Sequence, residues 1–282
     1  MWRPSKEQRS NIRQTVSLLI LGFTLIWTIF PIFWAGVTSL KPRAELTTYP
    51  PKFFNFAPQW HNYIDIFTEL NFWAFIRNGL IAASGSTLIA LFLGLPHSYA
   101  VSRFENKWGN ISLYGVIAAR MIPPVTIAVP FYLIFNRIGL VDTKIGITLI
   151  LTFLFEPYVV WVMKGFFDSI PEEIEECARV DGASKLQSFT RIMLPLAGPG
   201  LGSATIIAWI MGWNEFILVF ILSFSEQSQT VPIGVLSFMM DQYTPWNWMM
   251  AAAIVGIVPT LIILLIFQRF LVRGLAEGAL KQ

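Results

Sequence analysis

The sequence predicts an all-helical protein that crosses a membrane six times. Of its 282 residues, 55% are hydrophobic and only 13% are charged, whereas a typical soluble domain is about 25% charged. These charged side chains are too few to cover a water-soluble protein of this length, so lipid must solvate part of the surface. Six long apolar runs supply the spans, because a helix of about 20 residues crosses the hydrocarbon core.

The six apolar runs are continuous, which favours helices over the alternating strands of about 10 residues found in membrane barrels. In chain order they are Val16–Leu40, Asn78–Val101, Ile111–Phe135, Ile145–Phe166, Gly198–Leu222 and Asn247–Phe270. The first run is too long for the apolar core of a signal peptide, and no small-residue cleavage pattern follows it. We therefore expect it to remain in the protein as a membrane helix.

The distribution of Lys and Arg predicts the orientation. If the N-terminus is cytoplasmic, the segments between the runs that face the cytoplasm hold most of these residues, as membrane proteins require. Both termini are then cytoplasmic. The chain divides into an N-terminus 1–15, a first span 16–40, an extracytoplasmic segment 41–77, a core 78–270 and a tail 271–282. The net charge of +3 reflects this topology and predicts no nucleic-acid partner, because the basic residues lie between apolar runs.

Small residues at helical spacing predict close helix contacts within two of the runs. They are Gly198 and Gly202 in the fifth run, and Gly79, Ala82, Ala83, Gly85 and Ser86 in the second.

The segment between the fourth and fifth runs, residues 167–197 (the 167–197 loop), is acidic. Ser169-Ile170-Pro171-Glu172 and Ser184-Lys185-Leu186-Gln187 are typical of capping boxes at helix starts, and Asp181-Gly182 is typical of a helix end. We expect two short helices joined by a glycine turn. The alternative is a solvated acidic loop that binds no partner.

The spacing within the 167–197 loop favours a partner. Glu176-Cys177-Ala178, followed by Gly182 and then by Ile192, Leu194 and Pro195, resembles the Glu-Ala-Ala signature of the permease subunits of binding-protein-dependent ABC importers. Cys177 stands where that family usually has alanine. In the fifth run, Trp213-Asn214-Glu215-Phe216 resembles the sugar-uptake branch, and the order of runs resembles the shorter permease of maltose and multiple-sugar importers.

This resemblance implies the type I ABC importer permease fold in a bacterial inner membrane, and a small carbohydrate or related polyhydroxylated solute. It also implies that the 167–197 loop couples to a separate ATPase. The ATPase-coupling residues would be Glu176, Ala178, Asp181, Gly182, Ile192, Leu194 and Pro195.

The resemblance further implies a second permease, two ATPase subunits or an ATPase homodimer, and an extracytoplasmic solute-binding protein that meets segments 41–77 and 223–245. The sequence has no Gly-x-x-x-x-Gly-Lys-Ser/Thr loop to hold ATP phosphates. We therefore expect no enzyme activity and no cofactor on this chain, with ATP and Mg²⁺ on the partner ATPases.

Polar residues inside the apolar runs mark a candidate substrate path, because ionisable groups at bilayer depth usually face the bundle interior or a water-filled route. They are Arg120, Glu156, Asn214 and Glu215. Alternatively, Arg120 pairs with a glutamate to fix helix packing, or lies near the membrane interface. Pro123-Pro124 and Glu156-Pro157 predict kinks nearby.

Two other function classes use the same residues. A polytopic membrane enzyme would place Arg120, Glu156 and Glu215 in one intramembrane site, and a proton-coupled secondary transporter would move a proton on one of the acids. We expect no metal site, because His61 and His97 have no second histidine at ligand spacing and Cys177 is the single cysteine.

Overall fold

The computed structural model describes residues 6–104, 107–239 and 245–279 of the chain, with side chains between residues 13 and 270 except residue 110. These residues form helices and turns. The helices are α1 (Lys6–Ser39), α2 (His61–Thr68), α3 (Phe72–Arg103), α4 (Lys107–Met121), α5 (Pro124–Arg137), α6 (Lys144–Ser169), α7 (Glu172–Val180), α8 (Lys185–Ser188), α9 (Leu194–Leu196), α10 (Gly198–Asn214), α11 (Ile217–Leu222), α12 (Val231–Ser237) and α13 (Trp246–Ala279). A 3₁₀ turn covers Arg43–Glu45, and a π turn covers Phe189–Met193 between α8 and α9.

Four helices of the described chain are each long and apolar enough to cross a membrane. They are α1 from Arg13, α3, α6 and α13 as far as Phe270. Two further spans result if each of two bent helix pairs counts as one. These pairs are α4 with α5, bent by 102°, and residues 185–196 with α10, bent by 77°. The all-helical prediction is confirmed, with four to six spans.

Two of the six predicted runs are broken, one at the kink predicted for Pro123-Pro124 and the other at Glu215, where no break was predicted. The run Ile111–Phe135 is split between α4 and α5, because Pro123 has an extended backbone (ψ 134°) and Pro124 opens α5. The run Gly198–Leu222 is split at Glu215, whose backbone is also extended (ψ 124°). Its carboxylate accepts a hydrogen bond from Leu218 N at 3.1 Å and thereby caps the start of α11. In contrast, α6 continues through Pro157.

One compact unit comprises the described residues within Asn71–Ser237 and Gly256–Gln282. Its core is formed by α3, α6 and α10, which approach closely at glycines. A Cβ added to Gly94 would lie 2.9 Å from Val159 Cγ1, and one added to Gly79 would lie 2.9 Å from the Trp213 ring. These contacts confirm the small-residue face of α3.

The Gly198 and Gly202 prediction is half right. Gly202 packs against the ring of Phe270 in α13, whereas a Cβ at Gly198 would meet open space. Gly202 therefore makes the close contact of this pair.

The other compact unit comprises the described residues within Met1–Leu70 and Phe238–Val255. Asn62 in α2 donates from Nδ2 to Ser39 O at 2.8 Å and accepts from Asn247 Nδ2 at 2.9 Å. Lys41 is 2% exposed, and its Nζ lies 4.5 Å from the centre of a Trp34 ring. Burial lowers the pKa of Lys41, and the carboxylate of Glu45 opposes this effect only in part.

Candidate functional site

The 167–197 loop folds into α7 and a second helical segment, as predicted, but its first capping box is wrong. The hydroxyl of Ser169 donates to Phe166 O at 2.6 Å, because α6 extends as far as Ser169. Pro171 precedes α7 and supplies no side-chain cap. Three glutamates in the first turn of α7 instead face the positive end of its helix dipole.

The glycine turn after α7 is confirmed. Gly182 has φ +89°, a left-handed conformation that glycine adopts at low cost. Gly182 N donates to Arg179 O at 3.1 Å and Ala183 N donates to Ala178 O at 2.9 Å. These two bonds form a Schellman motif, which fixes the direction of the chain beyond the helix.

The second capping box is also confirmed. Ser184 N donates to Gln187 Oε1 at 2.8 Å, and Gln187 N donates to Ser184 Oγ at 3.3 Å. At the start of α8, the side chains of Ser184 and Gln187 thus each accept a hydrogen bond from the backbone N–H group of the other residue.

The residues assigned to ATPase coupling lie on two sides of the loop. The exposed members are Glu176, Asp181, Gly182 and Pro195. Ala178 is buried, at 7% exposure, while Ile192 and Leu194 are half-buried. Val180 and Leu186 are 86% and 70% exposed, so the loop also presents apolar side chains to its surroundings.

Glu175, for which no role was predicted, holds the loop to α3. Its Oε1 accepts from Tyr99 OH at 2.5 Å, and its Oε2 lies 3.3 Å from Arg103 Nε. Arg103 Nη2 also donates to Ile170 O at 2.8 Å, between α6 and α7. Tyr99 and Arg103 are four residues apart and share one helix face, but no local pattern in the sequence connects them with Glu175.

A second polar link joins α3 to α6. Asp168 accepts from Ser102 Oγ at 2.6 Å through Oδ1 and pairs with Lys164 Nζ at 2.6 Å through Oδ2. The end of α3 is therefore tied to both α6 and α7.

Arg120 and Glu215, two residues of the candidate substrate path, line one cavity of about 420 Å³. Aromatic side chains share its lining: Phe131, Phe153 and Phe155. The Arg120 guanidinium lies 4.8 Å from the centre of the Tyr158 ring, which is a cation–π distance. A cavity of this size with a few polar groups among aromatic ones can hold a small organic molecule.

Glu156 and Asn214, the other two path residues, have partners outside that lining. Glu156 Oε1 lies 3.2 Å from His97 Nδ1, and His97 Nε2 lies 2.6 Å from Ser112 Oγ. Asn214 Nδ2 donates to Ile210 O at 2.8 Å within its own helix. His97, isolated in the sequence, thus joins three helices. Among the residues described, no group of three or more His, Cys, Asp or Glu is placed to hold a metal ion.

A tight turn over residues 222–229 is held by Asp142, which lies between α5 and α6. The Asp142 carboxylate accepts from Phe224 N and Ser225 N, each at 2.9 Å, and from Ser228 Oγ at 2.5 Å. Burial alone would raise the pKa of Asp142, but these hydrogen bonds outweigh it and hold the pKa below its ordinary value. Asn78 Nδ2 adds a bond to Glu226 O at 2.8 Å.

Known proteins match this chain over most of its length. The sulfoquinovosyl glycerol transport system permease protein SmoH of Agrobacterium fabrum is 33% identical over 91% of this chain and 90% of its own. The trehalose/maltose transport system permease protein MalG of Thermococcus litoralis is 30% identical over 94% of this chain and 96% of its own.

A solved structure has the same fold. A chain of the crystallised bacterial ABC transporter involved in import of the acidic polysaccharide alginate aligns with a TM-score of 0.79 and 22% identity, over 95% of this chain and 99% of that one. The type I ABC importer permease fold is therefore confirmed. Residues 86–277 match the family model described as the inner membrane component of binding-protein-dependent transport systems. The chain belongs to this family of multi-pass inner-membrane proteins.

Proposed function

We propose that this permease subunit moves a small carbohydrate or related polyhydroxylated solute, and that the 167–197 loop couples it to a separate ATPase. The relatives named above are permeases for sulfoquinovosyl glycerol and for trehalose or maltose. A further relative, DasC of Streptomyces coelicolor, is a diacetylchitobiose uptake permease and is 30% identical over 95% of this chain. Their shared substrate class supports a carbohydrate here.

The observation that carries the coupling proposal is the surface of the 167–197 loop. Glu176 is exposed and can form a charge-assisted bond with a cation on the ATPase. Val180, one helical turn after Glu176, and Leu186 in α8 expose apolar surface, as protein-binding sites do. The buried Ala178 and the turn at Gly182 hold this surface in one shape.

The complete importer would contain a second permease, two ATPase subunits or an ATPase homodimer, and an extracytoplasmic solute-binding protein. ATP and Mg²⁺ would bind the ATPase partners. The Lys and Arg distribution supports six spans with both termini cytoplasmic, each bent helix pair counting as one span. The binding protein would then meet segments 41–77 and 223–245, of which residues 240–244 lie outside the described chain.

The solute path would pass the cavity lined by Arg120 and Glu215. Their charged groups can hydrogen-bond sugar hydroxyls, and the neighbouring phenylalanine rings can pack against the apolar face of a sugar. These two residues carry this part of the proposal, because Glu156 and Asn214 have hydrogen-bond partners outside the cavity.

The coupling proposal is tested with Glu176→Lys and Gly182→Pro in the assembled importer. Lysine reverses the exposed charge, and proline cannot adopt φ +89°. Both variants should abolish uptake and weaken co-purification with the ATPase while membrane insertion is unchanged. Cys177→Ala, which restores the residue usual in the family, is the matched control and should transport normally. Full transport by both test variants would refute the assignment.

A second experiment separates this function from the other classes. Proton-driven uptake by the isolated chain would support a secondary transporter, and turnover of a substrate without ATP would support an enzyme. Mass spectrometry of the ligand released from the cognate solute-binding protein would identify the solute.

A further inference from the structure

We propose that Tyr99, Arg103 and Glu175 form a clamp that transmits movement of the 167–197 loop to α3. This inference rests on the proposed function, since the movement comes from the ATPase. The three residues are positioning residues that connect the loop to the membrane helices.

Two contacts hold α7 to the end of α3. Glu175 Oε1 accepts a hydrogen bond from Tyr99 OH at 2.5 Å. Glu175 Oε2 lies 3.3 Å from Arg103 Nε in an ion pair that is not a hydrogen bond. Arg103 also holds Ile170 O at 2.8 Å. α3 is therefore attached to the loop on both sides of Pro171.

Burial makes the clamp resistant to separation. The side chains of Arg103 and Glu175 are 6% and 12% exposed, so water cannot easily replace either partner. Breaking a buried ion pair leaves an uncompensated charge, which costs far more than breaking an exposed pair. When α7 is pulled, α3 is thus pulled with it, because the ion pair between them does not separate.

Aromatic packing makes the same junction resistant to compression. The Tyr99 ring centre lies 4.8 Å from that of Phe189 and 5.7 Å from that of Phe167, and both phenylalanines belong to the loop. Close-packed rings have no free space into which a neighbour could move. A push on the loop therefore reaches α3 as well.

Glu175 and Glu176, which are neighbours on α7, have different environments. Successive residues of an α-helix point about 100° apart, and here Glu176 is exposed whereas Glu175 is turned toward α3. A partner that displaces Glu176 must displace Glu175 with it, because both are on the same short helix.

From the clamp, contacts continue along α3 toward the cavity. Gly94 packs against Val159 of α6, and Gly79 packs against Trp213 of α10. Trp213 lies two residues before Glu215, which lines the cavity. The clamp thus connects the surface of the loop with a helix that contacts the candidate solute path.

The experiment uses the assembled importer in lipid nanodiscs, with its ATPases and the solute-loaded binding protein. It measures solute uptake and ATP hydrolysis together for Glu175→Gln and Arg103→Lys. Uptake per ATP hydrolysed should fall about tenfold, the size of a typical coupling between sites, while co-purification of the ATPase is unchanged. Glu173→Gln is the matched control, because it makes the same change at an exposed carboxylate of the same helix.

Two results would overturn the inference: an unchanged uptake-to-hydrolysis ratio in Glu175→Gln, or a fall in uptake that only parallels a loss of thermal stability. The double variant Arg103→Glu with Glu175→Arg restores opposite charges and should recover part of the ratio lost by either single reversal; no recovery would also count against the clamp. Failure of the wild-type ATPase to bind the loop would refute the proposed function instead.

Discussion

The two ends of α6 are held in different ways. The helix has 26 residues and is therefore about 39 Å long. At its N-terminal end the Asp142 carboxylate accepts hydrogen bonds mainly from backbone N–H groups. At its C-terminal end the links are made by side chains: Arg103 of α3 pairs with Glu175 of α7, and Ser102 of α3 donates to Asp168 of α6, which also pairs with Lys164 of α6. Backbone bonds fix one geometry for a turn, whereas side-chain pairs connect separate elements.

The N-terminal end is also tightly packed at backbone level. Thr143 caps α6 by accepting from Gly146 N at 3.0 Å, and its hydroxyl donates to Leu140 O at 2.7 Å. Gly146 has no room for a Cβ, which would collide with Leu140 O. The N-terminal end of α6 is thus held by close backbone contacts, and the C-terminal end by side-chain contacts with other helices.

The largest expected effect is at the C-terminal end. Arg103→Met leaves the Glu175 carboxylate buried without its cation, which should lower the free energy of unfolding by about 3 kcal/mol. Denaturant unfolding in detergent would measure it. Adding Glu175→Met should restore part of the lost free energy of unfolding. A double variant less stable than Arg103→Met would show that the broken ion pair does not cause the destabilisation.

The next effect tests the N-terminal end. Asp142→Ala removes the acceptor of three hydrogen bonds and should cost about 2 kcal/mol, as for bonds to a charged group. Asp142→Asn is the control, because asparagine also tolerates the positive φ of 59° found here and keeps one acceptor oxygen. Equal losses in both variants would assign the effect to charge instead of hydrogen-bond geometry.

The pH dependence of the N-terminal end should be smaller and has a defined sign. The pKa of Asp142 is lower in the folded protein than its ordinary value, so its stabilisation is complete above about pH 4 and is lost as the pH falls through the folded pKa. The difference in unfolding midpoint between wild type and Asp142→Asn should be constant from pH 7 to about 5 and narrow in more acidic solution. A constant difference down to pH 2 would contradict this.

The smallest effect is expected at the exposed pair of the C-terminal end. Lys164 and Asp168 are 25% and 42% exposed and four residues apart in α6. Lys164→Met should therefore cost about 0.5 kcal/mol or less, and less still in high salt. A loss as large as that of Arg103→Met would show that burial does not distinguish the two pairs.

Local patterns predicted much of the 167–197 loop. Ser184 with Gln187 and Asp181 with Gly182 act within a few residues of themselves, so their spacing alone announces a helix start and a helix end. The box at Ser169 failed because α6 extends through the residue that would have supplied the cap.

Long-range partners could not be predicted in this way. Glu175 and His97 each act through side chains from distant parts of the chain, Arg103 and Glu156 respectively, and one sequence contains no record of such pairs. The break at Glu215 could not be predicted either, because the hydropathy of a segment does not show that a carboxylate within it caps the next helix. The sequence therefore predicted which segments are helical better than how they are connected.

The π turn at Phe189–Met193 makes the shape of the 167–197 loop depend on how many residues the turn contains. A π turn accommodates one residue more than an α turn, and here both of its ends, Phe189 and Met193, are buried. Deleting one residue would convert it to an ordinary helix and rotate α8 by about 100° relative to α10. The polarity of every remaining side chain would be unchanged, yet Leu186 would face another direction. The direction in which Leu186 faces thus depends partly on the number of residues in the turn, a property that substitution experiments alone would not detect.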